Sequence, residues 1–162
     1  MRVTNESIYL DTSVASAYFD SAWPERMAAT RRFWSESLPK FDIFVSEVVL
    51  AESLRTPVEE RRLEIVSSVI GFRNLEVVKA AKVLAEAFID GNLVPAKKTD
   101  DALHLALAVH FGMDYLVSWN FQHMVHVRTK KKLPMLAAGA GYFKYPLIVS
   151  PQEFLEELES PC

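Results

Sequence analysis

Three acids in this sequence stand where carboxylate chemistry could be assembled. Asp11 follows the apolar run in I-Y-L-D-T-S at 8–13, Glu52 ends V-S-E-V-V-L-A-E at 45–52, and Asp101 opens D-A-L-H-L-A-L-A-V. Asn120 follows Y-L-V-S-W as a fourth oxygen donor. Carboxylates brought together repel one another and raise their own pKa values unless a cation neutralises them. A donor set made only of oxygens selects hard cations, Mg²⁺ or Mn²⁺, and an amide oxygen such as that of Asn120 can join it or hold a metal-bound water.

Each residue also has a plain structural reading. Asp11 can form an Asx turn or cap a helix, with the hydroxyls of Thr12 and Ser13 beside it. On a helix, Glu52 points between Val48 and Val49, an apolar direction in which a carboxylate needs a partner. A salt bridge to Arg55 or exposure at a helix edge would answer that need. Glu47 is explained by the favourable end of a helix dipole. One of Asp100 and Asp101 can cap the helix they open, which leaves the other surplus to structural need. His104, one turn beyond Asp101, reads first as a satisfied core or rim histidine, with a group supporting the site or an RNA contact as alternatives. Asn120 can be a turn residue.

The elements that must position these residues alternate. Strands are expected at Ser7 to Leu10, Asp42 to Val45, Tyr115 to Ser118 and Leu147 to Ser150, with a short extended piece at Leu75 to Val78. Helices are expected from about Ser13, from Pro24 toward Leu38, from the cap Ser46 to about Arg55, and from Pro57 to about Ile70. Further helices run over Lys79 to Asp90, ended by Gly91 and Asn92, over Thr99 to Phe111, closed by Gly112, and over Pro151 to Leu158. The basic run Arg128, Lys130, Lys131 and Lys132 reads as a solvated loop. Alternating strands and helices predict an α/β fold, a parallel sheet covered on both faces. Ligands in such sheets collect beyond the carboxyl ends of the strands, where all four candidate residues can converge.

The chain has 162 residues, 50% apolar and 24% charged, which suits one globular domain with a substantial core. No repeat or linker divides it. Its single cysteine, Cys162, cannot form an internal disulfide. The polar N-terminus lacks the apolar core of a secretory signal, and no apolar run approaches the ~20 residues needed to span a bilayer. The expected location is the cytoplasm. A net charge of −3 argues against coating nucleic acid by bulk charge, but a local basic patch beside an acidic site would still admit it as substrate. His123 and His126 lack the cysteine partners of a zinc site, and no P-loop, dinucleotide-binding glycine pattern or G-x-S-x-G setting is present.

The segments I-Y-L-D-T-S at 8–13, V-S-E-V-V-L-A-E-S at 45–53, T-D-D-A-L-H-L-A-L-A at 99–108 and Y-L-V-S-W-N-F at 115–121 resemble the PIN-domain ribonucleases, and among them the compact VapC-type toxins. The ending P-L-I-V-S-P-Q-E-F-L resembles the family's last strand and helix, so the likeness spans residues 1–162 as one domain with a core over about 7–158. It implies a three-layer α/β/α fold and a Mg²⁺- or Mn²⁺-dependent endoribonuclease, in which a metal-activated water attacks an RNA phosphodiester. The family's acids fall on Asp11, Glu52 and Asp101. Its fourth position, often aspartate, is Asn120, which removes one negative charge. The resemblance assigns Asp11 and Asp101 as metal ligands and Glu52 to orient the metal and its water. Asn120 would hold a metal-bound water or the scissile phosphate. Thr12 or Ser13 would bond a carboxylate or phosphate, and Arg128 and Lys130 would guide RNA. It further implies a homodimer and a small antitoxin partner. A PIN-like nuclease outside any toxin pair and a weakly active binding module are the rival readings.

Overall fold

The computed structural model describes residues 6–158. Cys162 and the first five residues, on which the compartment expectation partly rested, lie outside the described residues. Five strands form one sheet: β1 (Ser7–Leu10), β2 (Asp42–Ser46), β3 (Arg73–Leu75), β4 (Tyr115–Val117) and β5 (Leu147–Val149). Their order is β3-β2-β1-β4-β5, and every neighbouring pair is parallel. Parallel strands need long crossovers, and helices supply them. These are α1 (Thr12–Tyr18), α2 (Pro24–Glu36), α3 (Glu47–Leu54), α4 (Glu59–Val69), α5 (Lys79–Asp90), α6 (Thr99–His110), α7 (Val127–Gly139) and α8 (Pro151–Glu153). Helices flank the sheet, so the α/β/α expectation is met.

The reversal of strand order places the site. From β1 the chain steps outward to β2 and β3, then returns to the other side of β1 for β4 and β5. Loops leaving β1 and β4 therefore diverge, and a crevice opens at their carboxyl ends. Ile8, Tyr9 and Leu10 in the central strand are completely buried, as are Ala102, Leu105, Ala106, Leu107 and Ala108 of α6. The alanines let α6 pack closely in the interior, which explains a helix apolar on nearly every face.

Most expected elements form within a residue or two. The serine cap of α3 is present, with Ser46 Oγ accepting from the amides of Val48 at 3.2 Å and Val49 at 3.4 Å. Gly91 ends α5, and Gly112 closes α6 at φ +66°. The extended piece expected at Leu75 to Val78 lies earlier, as β3. It pairs Arg73 with Phe44 and Leu75 with Ser46, and the exposed Arg73 and Asn74 of this edge strand lack the apolar signal of an inner one.

The basic run is a helix and not a loop. α7 exposes Arg128 and Lys131, half-buries Lys130 and Lys132, and buries Thr129, Leu133 and Ala137 at a spacing of one turn. Pro134 inside the helix, together with the charge run, hides that stripe in the sequence.

Candidate active site

Asp11 continues the β1 ladder beyond its last residue, its amide donating to Val117 O at 3.3 Å. It then caps α1 by accepting from the Ser13 amide at 3.1 Å, so its structural reading is realised. The cap does not exhaust the carboxylate. The Ser13 hydroxyl also donates to Oδ1, and Ser118 Oγ, at the end of β4, donates to Oδ2 at 2.6 Å. Burial raises the Asp11 carboxyl above its ordinary pKa; the charge of His104 and the two hydroxyls act in the other direction without cancelling it. Ser13 and Ser118 also fasten the loop after β4. Trp119 N–H donates to Ser13 Oγ at 2.8 Å, and Asn120 N–H to Ser118 Oγ at 2.9 Å.

Glu52 sits on α3 between the buried Val48 and Val49 and the solvent, its side chain 25% exposed. Its partner is not Arg55, which pairs instead with Asp100 at 2.7 Å. Thr12 Oγ1 donates to Glu52 Oε1 at 2.8 Å, and His104 Nε2 meets the same oxygen at 2.5 Å. His104 is buried, and its Nδ1 lies 2.6 Å from the Tyr9 hydroxyl, which in turn lies 2.8 Å from Ser46 Oγ. The core reading of His104 holds, and burial removes the RNA-contact alternative, yet the ring also holds a candidate carboxylate. Burial works against charging His104, but its bond to Glu52 and the charges of Asp11, Glu52 and Asp101 outweigh that and raise its pKa. Burial likewise raises Glu52, and the His104 bond overcomes it, so Glu52 is lowered.

Asp101 stands in the first turn of α6, where the helix dipole favours an acid. Neither it nor Asp100 caps the helix, whose capping position is held by Lys98 without a side-chain cap bond. Asn120 Nδ2 donates to Asp101 Oδ2 at 3.3 Å, while Asn120 Oδ1 accepts from the His123 amide at 2.9 Å. The turn role of Asn120 and its place beside an acid are therefore both realised. Glu52 and Asp101 line one cleft of about 310 Å³ with Lys97, Lys98 and Thr99. Sequence reasoning passed over this lysine pair, although K-K-T-D-D places two cations just before the third acid. It passed over Ser118 as well, since a single serine after a strand carries no signal of its own.

The four oxygen-bearing candidates are thus brought to one rim, but not into one cluster. Among the described residues no three His, Cys, Asp or Glu side chains stand close enough together to hold a metal ion. Hydrogen bonds hold the acids apart, Asp11 between two serines, Glu52 between Thr12 and His104, and Asp101 against Asn120. The donor chemistry still fits a hard cation: carboxylates and an amide oxygen, including one buried carboxylate with its pKa raised. Thr12 and Ser13 bond carboxylates, as one branch of their expectation had it. Arg128 lies exposed in the first turn of α7. Lys130 is carried away from the rim. It lies 3.6 Å from Glu153 and lines a cleft with Glu6 and Asp114, at the opposite ends of β1 and β4. Residues two apart on a helix do not share a face, so α7 separates Arg128 from Lys130, charges that a loop could have gathered.

No curated protein matches the chain. Among solved structures it is similar to the Mycobacterium tuberculosis toxin VapC20, described as cleaving the Sarcin–Ricin loop, with TM-score 0.58 and 17% identity over 72% of this chain and 92% of that one. It is also similar to VapBC2 from Rickettsia felis bound to a promoter DNA fragment, with TM-score 0.54 and 11% identity over 88% of this chain and 98% of that one. Those likenesses show the fold. The PIN domain family matches residues 8–120, from the first residues of β1 to Asn120 and so across all four candidate positions; the chain belongs to the PIN domain family.

Proposed function

We propose that this chain is a Mg²⁺- or Mn²⁺-dependent endoribonuclease, folded as a single domain over residues 1–162, and the toxin member of a toxin–antitoxin pair. The observation that carries it is the placement of Asp11, Glu52 and Asp101 beside the carboxyl ends of β1 and β4, with Ser118 and Asn120 linking Asp11 to Asp101, in a chain of the PIN family. Asp11, Asp101 and Glu52 would hold the cation, whose contribution when bound is to activate water and stabilise charge developing on the phosphate.

The chain's own side chains do the rest. Thr12 and His104 aim Glu52, Ser13 and Ser118 aim Asp11, and the Asn120 amide orients the scissile phosphate or the attacking water. Lys97 and Lys98 draw the RNA backbone to the acids, with Arg128 as an outer guide. The reading includes a homodimer, a small antitoxin encoded alongside, and action in the cytoplasm. Among the described residues no helix is long and apolar enough to cross a membrane. The toxin assignment draws on the names of VapC20 and VapBC2.

Expression of the chain alone in a bacterial host, with Asp101→Asn beside it, tests the reading. Growth arrest that Asp101→Asn abolishes, together with Mn²⁺-dependent RNA cleavage by the purified protein, is expected. Cleavage without arrest would leave a PIN-family nuclease outside a toxin pair. No RNA cleavage with either metal would overturn the nuclease and favour a binding module, the reading toward which Asn120 in place of a fourth acid leans.

A further inference from the structure

A second cleft of about 330 Å³ is lined by Ser13 and Asn120, which bond the acids Asp11 and Asp101, and by Asp20, Trp23, Arg26 and Trp119. Its floor is Trp119, 7% exposed and held from two sides. The Trp119 indole N–H donates to Thr30 Oγ1 at 2.8 Å and its backbone N–H to Ser13 Oγ at 2.8 Å. Above it stand two open aromatic rings, Trp23 at 58% exposure and Phe121 at 42%. The Arg26 guanidinium lies between the rings, 4.7 Å from the Trp23 centroid and 5.4 Å from those of Trp119 and Phe121. Among the described residues that guanidinium makes no ion pair and no hydrogen bond.

A guanidinium held among aromatic rings without a polar partner keeps its N–H donors available for a phosphate or a base edge. An open indole face is a platform on which any nucleobase can stack. A base inside a duplex is already stacked on both sides, so only an unpaired base can reach the platform. A base seated here would set its own phosphate beside Ser13 and Asn120, next to the acids.

We propose that the cleft lined by Trp23, Arg26 and Trp119, with Phe121 beside it, is a subsite for one unpaired nucleobase of the RNA strand, stacked on Trp23, with Arg26 bonding the adjoining phosphate or base edge. It rests on the ribonuclease reading above and adds to it which residues of this chain hold one base beside the cleavage point.

The test measures binding of a short oligoribonucleotide to the full chain carrying Asp101→Asn, so that no turnover intervenes. Trp23→Ala and Arg26→Ala should each weaken binding about tenfold or more, and Trp23→Phe should retain most of it. Removing one base at a time from the strand should find one position whose loss weakens binding with Trp23 present and costs nothing further in Trp23→Ala. The same strand in a full duplex should bind more weakly. Unchanged affinity in folded Trp23→Ala, abasic losses that ignore Trp23, or duplex binding as tight as single-strand binding would each overturn the proposal. A role for Trp23 in a protein contact alone would give the first of these results. Mn²⁺-dependent cleavage by the unsubstituted chain, measured in parallel, separates the two failures. Cleavage with binding indifferent to Trp23 removes the subsite and leaves the nuclease. Absence of both cleavage and RNA binding removes both.

Discussion

Glu52 and His104 stand 2.5 Å apart, carboxylate Oε1 to ring Nε2, and this contact fastens α3 to α6 at the acid rim. Because His104 Nδ1 also reaches the Tyr9 hydroxyl at 2.6 Å, one imidazole ties both helices to the central strand. His104→Ala would leave the completely buried Tyr9 hydroxyl with one partner fewer and Glu52 without its strongest one. We expect a stability loss of about 2–4 kcal/mol in urea unfolding, together with loss of any Glu52-dependent cleavage. A variant as stable as the parent would show that the contact does not hold the rim together.

Ser118 donates to Asp11 and accepts from the Asn120 amide, so it sets the spacing of two candidate donors at once. Ser118→Ala should cost about 1 kcal/mol of stability. It should also weaken Mn²⁺ binding about 10- to 100-fold, the usual effect of removing a group that orients a ligand. Thermal shift against Mn²⁺ concentration reads this without any substrate. An unchanged Mn²⁺ response would mean that Ser118 serves only the loop.

Burial holds the Asp11 carboxyl above its ordinary pKa, so its charge is disfavoured in the folded chain. Asp11→Asn keeps an oxygen for the Ser13 amide and removes that charge. Stability at neutral pH should be unchanged or slightly higher, while the melting-temperature rise on adding Mn²⁺ disappears. A retained rise would exclude Asp11 as a ligand.

Far from the rim, Asp114 joins the starts of β1 and β4. Its Oδ2 accepts from the Ser7 amide at 2.9 Å and hydroxyl at 3.1 Å, and Lys144 Nζ lies 3.1 Å from Oδ1. Burial raises its carboxyl, but the Ser7 amide and Lys144 outweigh that, and its pKa is lowered. A lowered folded-state pKa means that the unfolded chain binds the proton more tightly. The associated stability is therefore complete above the unfolded value of about 3.9 and is lost as pH falls through the lower folded value. Asp114→Asn should be less stable than the parent by about 1 kcal/mol at neutral pH, the discounted worth of a partly exposed group. The two curves should converge at acid pH. A difference constant over that whole range would exclude the carboxylate charge as its source.

Most of the fold, and the strand ends beside which the candidate acids stand, were legible locally. Apolar runs ending in Asp11, or followed by Trp119 and Asn120, mark parallel strands and their carboxyl ends because buried strands need continuous apolar surface. Ser46, Gly91 and Gly112 mark helix ends because caps and left-handed turns are chemistry of one or two residues. α7 was not legible, since Pro134 and four basic residues obscure the stripe of Thr129, Leu133 and Ala137. The partners of the acids were not legible either. Arg55 is three residues from Glu52, yet it turns to Asp100, while His104, 52 positions away, takes Glu52.

What the sequence by itself determined is which residues carry charge and at which strand ends they fall, because those are matters of residue type and local period. The tertiary structure alone decided how the acids are held. Strand order β3-β2-β1-β4-β5 puts β4 beside β1, and only then can Ser118 reach Asp11 and Asn120 reach Asp101. It also brought Arg26 of α2 over Trp119 from beyond β4, a contact between segments whose spacing in the chain carries no period for a sequence to show.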